Sequence, residues 1–286
     1  GEQKAGEEQK RHPFCDVVDR ALAFLCRVQR SDGALISSDR EQERAMYSHG
    51  MAGIAVIEAY SLTHDPRLRP HAQLAVNFTC AAQQDNGGWD YSWDRTNRGD
   101  TSVTSWQILL LRSARAAGLA VPKRTWDRAR KYMEEVTDKR AGTIDYEIER
   151  QKHQEGCNGI LAAGWVTRLY LGLQDDHPTQ EKFAAAIRAV PPRFDDEWGA
   201  CVHWSMLADR KADGHWSLYY NYYATLAMFH HGGKDWEDWN AKMRAVTMKS
   251  QRKDGHEKGS WDPVTADASF GGRIYATAMS ILNLEV

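Results

Sequence analysis

Three stretches of the sequence repeat one pattern, in which a helical segment ends on a glutamine, a turn with Asp or Asn beside Gly follows, and a bulky apolar residue closes the turn. The stretches are VQRSDGAL (28–35), AAQQDNGGWDY (81–91) and KSQRKDGHEKGSWDP (249–263). A turn that recurs at one place in successive helix pairs indicates a repeat architecture. The chain is therefore expected to consist of stacked helix pairs.

Helical periodicity dominates the sequence, with apolar residues three and four positions apart and few alternating runs. The pattern predicts helices near 15–29, 46–62, 71–84, 101–117, 124–136, 157–173, 179–190, 216–230, 235–251 and 271–285. One set of helices carries many charges on one face, as in WDRARKYMEEV, and the other set is nearly uncharged, as in CNGILAAGWVTRLYLGL. Because a helix that is apolar almost all round is buried on both sides, the sequence predicts an inner ring of helices within an outer ring.

The predicted fold class is all-α, an α/α toroid of five to six helix pairs. The alternative is an open stack of the HEAT type, whose repeat length overlaps this one at roughly 40–47 residues. We expect an N-terminal tail at 1–14 and a single domain at 15–286, with a long insert at 191–215. A connection of this length is typical of a functional or mobile segment.

Composition excludes some partners. The formal net charge is -2 with both signs interspersed, so the sequence carries no electrostatic signature of a nucleic-acid-binding protein. No apolar run reaches the roughly 18 residues that a transmembrane helix needs. The five cysteines are few and odd in number, which favours free thiols in a reducing compartment over a disulfide framework. The sequence thus predicts a soluble protein and leaves its localisation open, with cysteine usage that indicates a reducing compartment such as the cytoplasm.

The repeated turns resemble the QW motifs of the squalene and terpene cyclases, which recur in related form in protein prenyltransferase β subunits. The match is full in QQDNGGWDY, carries an insertion in QRKDGHEKGSW, and has Leu35 in place of the tryptophan in QRSDGAL. GDTSVTSWQ (99–107) and GGRIYATAMSIL (271–282) are similar to segments of bacterial proteins with the prenyltransferase and squalene oxidase repeat. The resemblance covers about 17–286 and implies an α/α toroid. In it, the glutamine would bridge to the next helix while Trp89 and Trp261 brace the turns.

The resemblance also implies where a catalytic acid would lie. Class II terpene cyclases protonate an alkene with the middle aspartate of a DxDD motif, which a threonine follows. The corresponding segment here is Asn97-Arg98-Gly99-Asp100-Thr101, so a glycine stands where the acid would be. Asp100 remains a candidate catalytic residue, but we expect it to cap the helix that begins at Thr101.

Protein prenyltransferases bind Zn²⁺ through an Asp-x-Cys pair and a later histidine. The corresponding pair here is Asp100-Thr101-Ser102, and the last inner helix opens Gly272-Arg273-Ile274-Tyr275 without a histidine. The resemblance therefore implies no zinc site of that family.

Two other sites are conceivable from residue type and position. His49, Asp100 and Cys157 each stand at the start of an inner helix, and such ligands suit Zn²⁺ with an open position, although chance occurrence is the simpler interpretation. A glycosidase would need two acidic residues facing one cleft, for which Asp100 and Glu155 are the candidates. The remaining histidines show no metal-ligand spacing, and His230-His231 is interpreted as a helix end.

An aromatic segment at 219–223 (YYNYY) is too dense to face one side of a helix, so some of its rings are expected to face the ring axis. Aromatic faces stabilise cations, although the same rings would also fill a large core. Arg273 is a candidate for binding an anionic group. The residues predicted to contact a ligand are Tyr47, His49, Trp106, Tyr219, Tyr222, Arg273 and Tyr275.

The sequence as a whole predicts a scaffold more clearly than an activity. Our first hypothesis is a divergent, non-catalytic cyclase- or prenyltransferase-like repeat domain that binds a ligand or a protein. The alternative is an isoprenoid-processing enzyme that uses an aromatic-lined central cavity. The expected partner is an isoprenoid or other apolar small molecule, or a protein, and Zn²⁺ is the one cofactor considered.

Overall fold

A computed structural model of the chain describes residues 14–36, 44–148, 158–194 and 217–286. These residues form α1 (Cys15–Val28), α2 (Ala45–Thr63), α3 (Leu68–Ala81), α4 (Thr101–Ala116), α5 (Lys123–Glu135), β1 (Thr137–Asp138), β2 (Thr143–Ile144), α6 (Asn158–Tyr170), α7 (His177–Arg188), α8 (Ser217–His231), α9 (Gly233–Ser250) and α10 (Ala266–Glu285). Each predicted helix is present, and the all-α class is confirmed.

The observed helix bounds differ from the predicted ones by up to five residues, and in α3 and α10 the local reason is visible. α3 ends at Ala81 rather than 84, because the backbone of Gln84 turns back to pair with Gly88 at 2.9 Å. α10 begins at Ala266 rather than 271, because Thr265 Oγ1 accepts a hydrogen bond from the Ala268 N–H and caps the helix. The glycine that looked like the start of this helix, Gly272, is instead a break within it, with φ +68°.

Burial follows the predicted helix sets in α4, α6 and α8, which are buried over most of their length, whereas the nearly uncharged α2 and α10 each expose several residues. Every residue from Thr101 to Leu111 in the nearly uncharged α4 is buried. In contrast, α1 buries no residue, and the strongly charged α5 buries one stripe that includes Trp126 and Tyr132. Within the described part of the chain, no helix combines the length and the apolar character needed to cross a bilayer.

The chain divides into two compact units. The first contains α1 to α3, residues 91–93, and the second half of α4 with the loop to Pro122. The second contains residues 83–90, the first half of α4 with the loop before it, and everything from Lys123 on. The single domain predicted for 15–286 stays a prediction. Residues 1–13 of the predicted tail and 195–215 of the predicted insert lie outside the described residues.

The repeated glutamine turn makes the same hydrogen bonds in both units. In the first unit, Gln29 Nε2 donates to Gly33 O at 3.1 Å and to His71 O of α3 at 3.0 Å. In the second unit, Gln83 Nε2 donates to Gly87 O at 2.9 Å and to Thr125 O of α5 at 3.0 Å. The glutamine thus joins its own turn to the next helix, as expected.

The glycine of each turn is required by contact with that same next helix. Gly33 and Gly87 both have φ +96°, a conformation that favours glycine. A Cβ atom would lie 2.1 Å from Leu74 O at Gly33, and 2.2 Å from Arg128 O at Gly87. Each turn therefore packs its backbone against the backbone of the next helix. A residue with a Cβ atom in place of the glycine would prevent this contact.

The third turn keeps part of the pattern. Gln251 Nε2 donates to Gly259 O at 3.0 Å, and the Trp261 indole donates to Thr247 O of α9 at 2.7 Å. Trp261 is 2% exposed and Trp89 of the second turn is fully buried. Both tryptophans thus close their turns as buried rings.

The β1–β2 hairpin was not predicted. Thr137 pairs with Ile144 and Asp138 with Thr143, and Gly142 supplies the positive φ of the turn. Strands of two residues are too short to show a sequence period. Ile144 packs so closely on α6 that a Cβ atom at Gly164 would lie 2.6 Å from it.

Candidate ligand site

Asp100 stands immediately before α4 and caps it, as the sequence predicted. Its Oδ1 atom accepts hydrogen bonds from Ser102 N at 2.7 Å, Ser102 Oγ at 2.5 Å and Val103 N at 3.0 Å. These donors include backbone N–H groups that the first turn of a helix leaves without partners. The side chain is therefore one structural reason why α4 begins at Thr101.

The second oxygen of Asp100 has a different environment. Oδ2 is buried and has no hydrogen-bond partner among the described residues. Burial raises the pKa of Asp100 above its usual value, although the hydrogen bonds that Ser102 and the α4 backbone donate to Oδ1, and the Tyr146 hydroxyl, oppose the shift. The carboxyl group is thus biased toward its neutral form.

The position before Asp100 has no space for a side chain. A Cβ atom at Gly99 would lie 2.5 Å from Tyr132 Cε2 and 3.0 Å from Asn86 Oδ1. Tyr132 is fully buried, and its hydroxyl lies 3.2 Å from Thr101 Oγ1. A carboxylate at Gly99 would therefore require the Tyr132 ring to move.

The aromatic cluster, defined as Trp106, Tyr219, Tyr222 and Tyr223, lies within the second unit between α4 and α8. Trp106 stacks on Tyr222 with centroids 5.8 Å apart and planes 11° apart, and meets Tyr223 edge-on at 5.7 Å. Tyr223 also contacts Tyr219 at 4.9 Å. Three of the predicted ligand-binding residues are thus brought together, and Tyr223 is a member that the prediction omitted.

Asp267 is a second residue that the sequence analysis missed. Its Oδ2 atom accepts hydrogen bonds from Tyr219 N at 2.8 Å and Tyr275 Oη at 3.3 Å, and its Oδ1 atom accepts one from Thr265 Oγ1 at 2.5 Å. Burial raises the pKa of Asp267. It joins Tyr275 to the start of α8. The available signal was the Thr-x-Asp sequence at 265–267, which is typical of a helix start.

Arg273, the candidate for binding an anion, is engaged within the chain. Its guanidinium lies 2.6 Å from Asp262 Oδ1 and donates to Ser260 Oγ at 3.0 Å. Both partners belong to the third glutamine turn and its continuation. The geometry therefore assigns Arg273 to bracing that turn against α10.

The two remaining predicted residues lie in the first unit. The Tyr47 ring is 5.7 Å from that of Tyr91. His49 is fully buried; its Nδ1 accepts from Leu35 N at 3.1 Å, and its Nε2 lies 3.0 Å from Thr79 Oγ1. Because both ring nitrogens are used, this arrangement leaves His49 no free position for a metal. Cys157 of the conceivable metal site and Glu155 of the conceivable glycosidase site lie outside the described residues.

His49 makes stability depend on pH. Burial lowers its pKa from 6.5 to about 4, although the Ala75 carbonyl and Asp32 oppose the shift. The imidazole of His49 binds a proton more readily in the unfolded chain than in the folded one. The neutral His49 therefore stabilises the fold above pH 6.5, and this stabilisation is lost as the pH falls toward 4. We expect the free energy of unfolding to drop by about 3 kcal/mol from this group over that range.

Denaturant titrations at several pH values check this. His49→Gln should flatten the pH dependence, whereas substitution of the exposed His256 by glutamine should leave it unchanged. An identical pH profile for the native chain and His49→Gln would show that His49 is not the responsible group.

No protein-family model matches the sequence, and no curated protein matches it either. Among solved structures, the chain is similar to an aspartate-to-alanine variant of the type II terpene cyclase MstE from Scytonema, in complex with its product merosterolic acid A. The TM-score is 0.61 at 14% sequence identity, over 94% of this chain and 72% of that one. The likeness confirms the predicted fold class, the α/α toroid, and supports the resemblance to terpene cyclases at the level of the fold.

Proposed function

We propose that this chain is a terpene cyclase-like domain that binds an apolar, isoprenoid-like molecule at the aromatic cluster and does not protonate it. The observation that carries the proposal is the cluster itself, in which Trp106 stacks on Tyr222 and Tyr223 packs against both. Aromatic faces make favourable contacts with alkenes and methyl groups as well as with cations. In support, a cyclase of the same fold holds a product in its solved structure.

The residues at the start of α4 are the reason why we expect no protonation of the bound molecule. Gly99 stands where class II cyclases carry their acid, and Tyr132 fills the space that a side chain there would need. Asp100 uses its Oδ1 atom to cap α4. On this proposal the chain keeps an aromatic surface for a ligand and lacks the proton donor.

One observation favours the alternative, an isoprenoid-processing enzyme. Asp100 Oδ2 is buried without a hydrogen-bond partner in the described part of the chain, and burial raises the pKa of Asp100. Protonation of an alkene requires a carboxyl group that is protonated beforehand and activated by its neighbours, and a raised pKa favours the protonated form. Asp100 is the one candidate for this role that the sequence analysis named.

The two functions are separated by one experiment with geranylgeraniol as the probe. Native mass spectrometry is expected to show one bound molecule per chain, and organic extracts should return it unchanged. Tyr222→Ala should weaken binding about tenfold, since it removes the stacking partner of Trp106.

The matched control is Tyr170→Ala, which removes a half-buried tyrosine at the end of α6 that contacts His230 instead. It should leave binding unchanged. If the native chain converts the probe to a cyclised product and Asp100→Asn abolishes the conversion, the enzyme is the correct function. Equal binding by the native chain and Tyr222→Ala would remove the aromatic cluster as the ligand site.

A further inference from the structure

A group of metal-ligating side chains lies apart from the aromatic cluster, where three helices of the second unit meet. Glu181 belongs to α7, His231 is the last residue of α8, and Asp235 lies in the first turn of α9. One ligand atom from each lies within 4.8 Å of the others. Among the residues that the structure describes, this is the one such group of three His, Cys, Asp or Glu side chains.

The turn between α8 and α9 places two of these ligands side by side. Gly232 and Gly233 have φ +78° and +61°, which favour glycine and allow α9 to begin directly after α8. His231 Nε2 consequently lies 3.3 Å from Asp235 Oδ2. The intervening Lys234 pairs instead with Asp238 at 3.2 Å. The His-Gly-Gly-Lys-Asp sequence thus presents an imidazole and a carboxylate to the same point.

The ring of His231 is held by packing. The Trp165 ring of α6 contacts it with centroids 5.6 Å apart. Trp165 is 1% exposed, and its indole N–H is buried without a hydrogen-bond partner in the described part of the chain. A buried donor without an acceptor is costly. The indole N–H is therefore a donor for which the described residues supply no acceptor.

A cation already lies between the two carboxylates. Arg188 Nη1 donates to Asp235 Oδ2 at 2.5 Å, and Arg188 Nη2 pairs with Glu181. The guanidinium side chain is 38% exposed, so it can move into solvent at small cost. A divalent ion in its place would satisfy the same two carboxylates and, in addition, His231.

We propose that Glu181, His231 and Asp235 bind one divalent transition metal ion in exchange for Arg188. One imidazole nitrogen and two carboxylate oxygens suit Zn²⁺ with a fourth position open to water. The site shares no residue with the aromatic cluster, so it does not depend on the proposed ligand-binding function.

The test is a titration of the chelator-stripped full chain with Zn²⁺ by isothermal calorimetry. We expect one ion per chain, bound at least about tenfold more weakly by His231→Ala. His230→Ala is the matched control, because this neighbouring histidine contacts Tyr170 instead and should not matter. Arg188→Met should tighten binding several-fold, since it removes the competing cation. Circular dichroism melting of each variant shows whether it is folded.

Absence of Zn²⁺ binding to the native chain overturns the proposal. Equal weakening by His230→Ala and His231→Ala would do the same, since it would indicate nonspecific histidine binding. If His231→Ala does not fold, Arg188→Met is the deciding variant. Zn²⁺ binding by Arg188→Met that is unchanged or weaker than in the native chain overturns the proposal that the metal ion replaces Arg188.

Discussion

Replacing Trp89 with alanine is expected to lower the free energy of unfolding by about 3–5 kcal/mol, the usual cost of removing a fully buried aromatic ring. The ring has no exposed surface. The Trp89 backbone also connects the glutamine turn to α4, since its N–H donates to Thr104 Oγ1 at 3.0 Å and its carbonyl accepts from Asp100 N at 2.8 Å. A cavity at this place would loosen the turn and the start of α4 together.

Denaturant titration followed by circular dichroism measures the effect of Trp89→Ala. Trp236→Ala is the control, because Trp236 is only half-buried and packs on Phe229 near the surface. A much smaller loss is expected there. An unchanged unfolding midpoint for Trp89→Ala would contradict the role of Trp89 as a brace.

Replacing Arg168 with leucine is expected to cost a similar 3–5 kcal/mol, roughly the price of leaving a buried charge without its partner. Arg168 is fully buried in α6. Its guanidinium binds Asp175 through two hydrogen bonds, at 2.8 and 2.5 Å, and also donates to Met133 O and Thr137 Oγ1, both at 3.1 Å. The leucine would leave the buried Asp175 carboxylate with one nearby cation, Lys139, at 3.4 Å.

A double-mutant cycle distinguishes the lost pair from lost packing. Asp175→Leu alone should also destabilise the chain, since the buried Arg168 then loses its buried partner and keeps the partly exposed Glu134, at 3.2 Å, as a carboxylate partner. The double variant should recover much of the loss, because two apolar side chains carry no uncompensated charge. Additive losses in the double variant would show that the two side chains act independently, against this interpretation.

The glutamine turns show how much of the fold local sequence predicts. A helix that ends on Gln before Asp/Asn-Gly was expected to bridge to the next helix, and Gln29 and Gln83 do so through His71 and Thr125. The signal is readable because a turn glycine, an amide side chain and a helical period all lie within about a dozen residues. The alternation of charged and uncharged helices is likewise readable from the residues of each helix alone.

The candidate site was only partly predictable. Asp100 caps α4 as predicted, because helix capping depends only on residues next to the helix start. Trp106 and Tyr222 were both predicted to contact a ligand, and their rings stack on each other. Arg273, in contrast, was expected to bind an anion but lies against Asp262. An arginine has the same local pattern whether it faces a ligand or an ion-pair partner, so the sequence does not distinguish the two.

Sequence by itself determined the class of this protein: helices in two sets, joined by recurring Asp/Asn-Gly turns. The tertiary structure alone decided which polar groups meet. Asp267 meets Tyr275 and the start of α8, and Glu181 meets His231 across 50 positions of sequence. Helix and turn formation depends on neighbours in the chain, whereas these contacts depend on how whole helices pack, which no short pattern records.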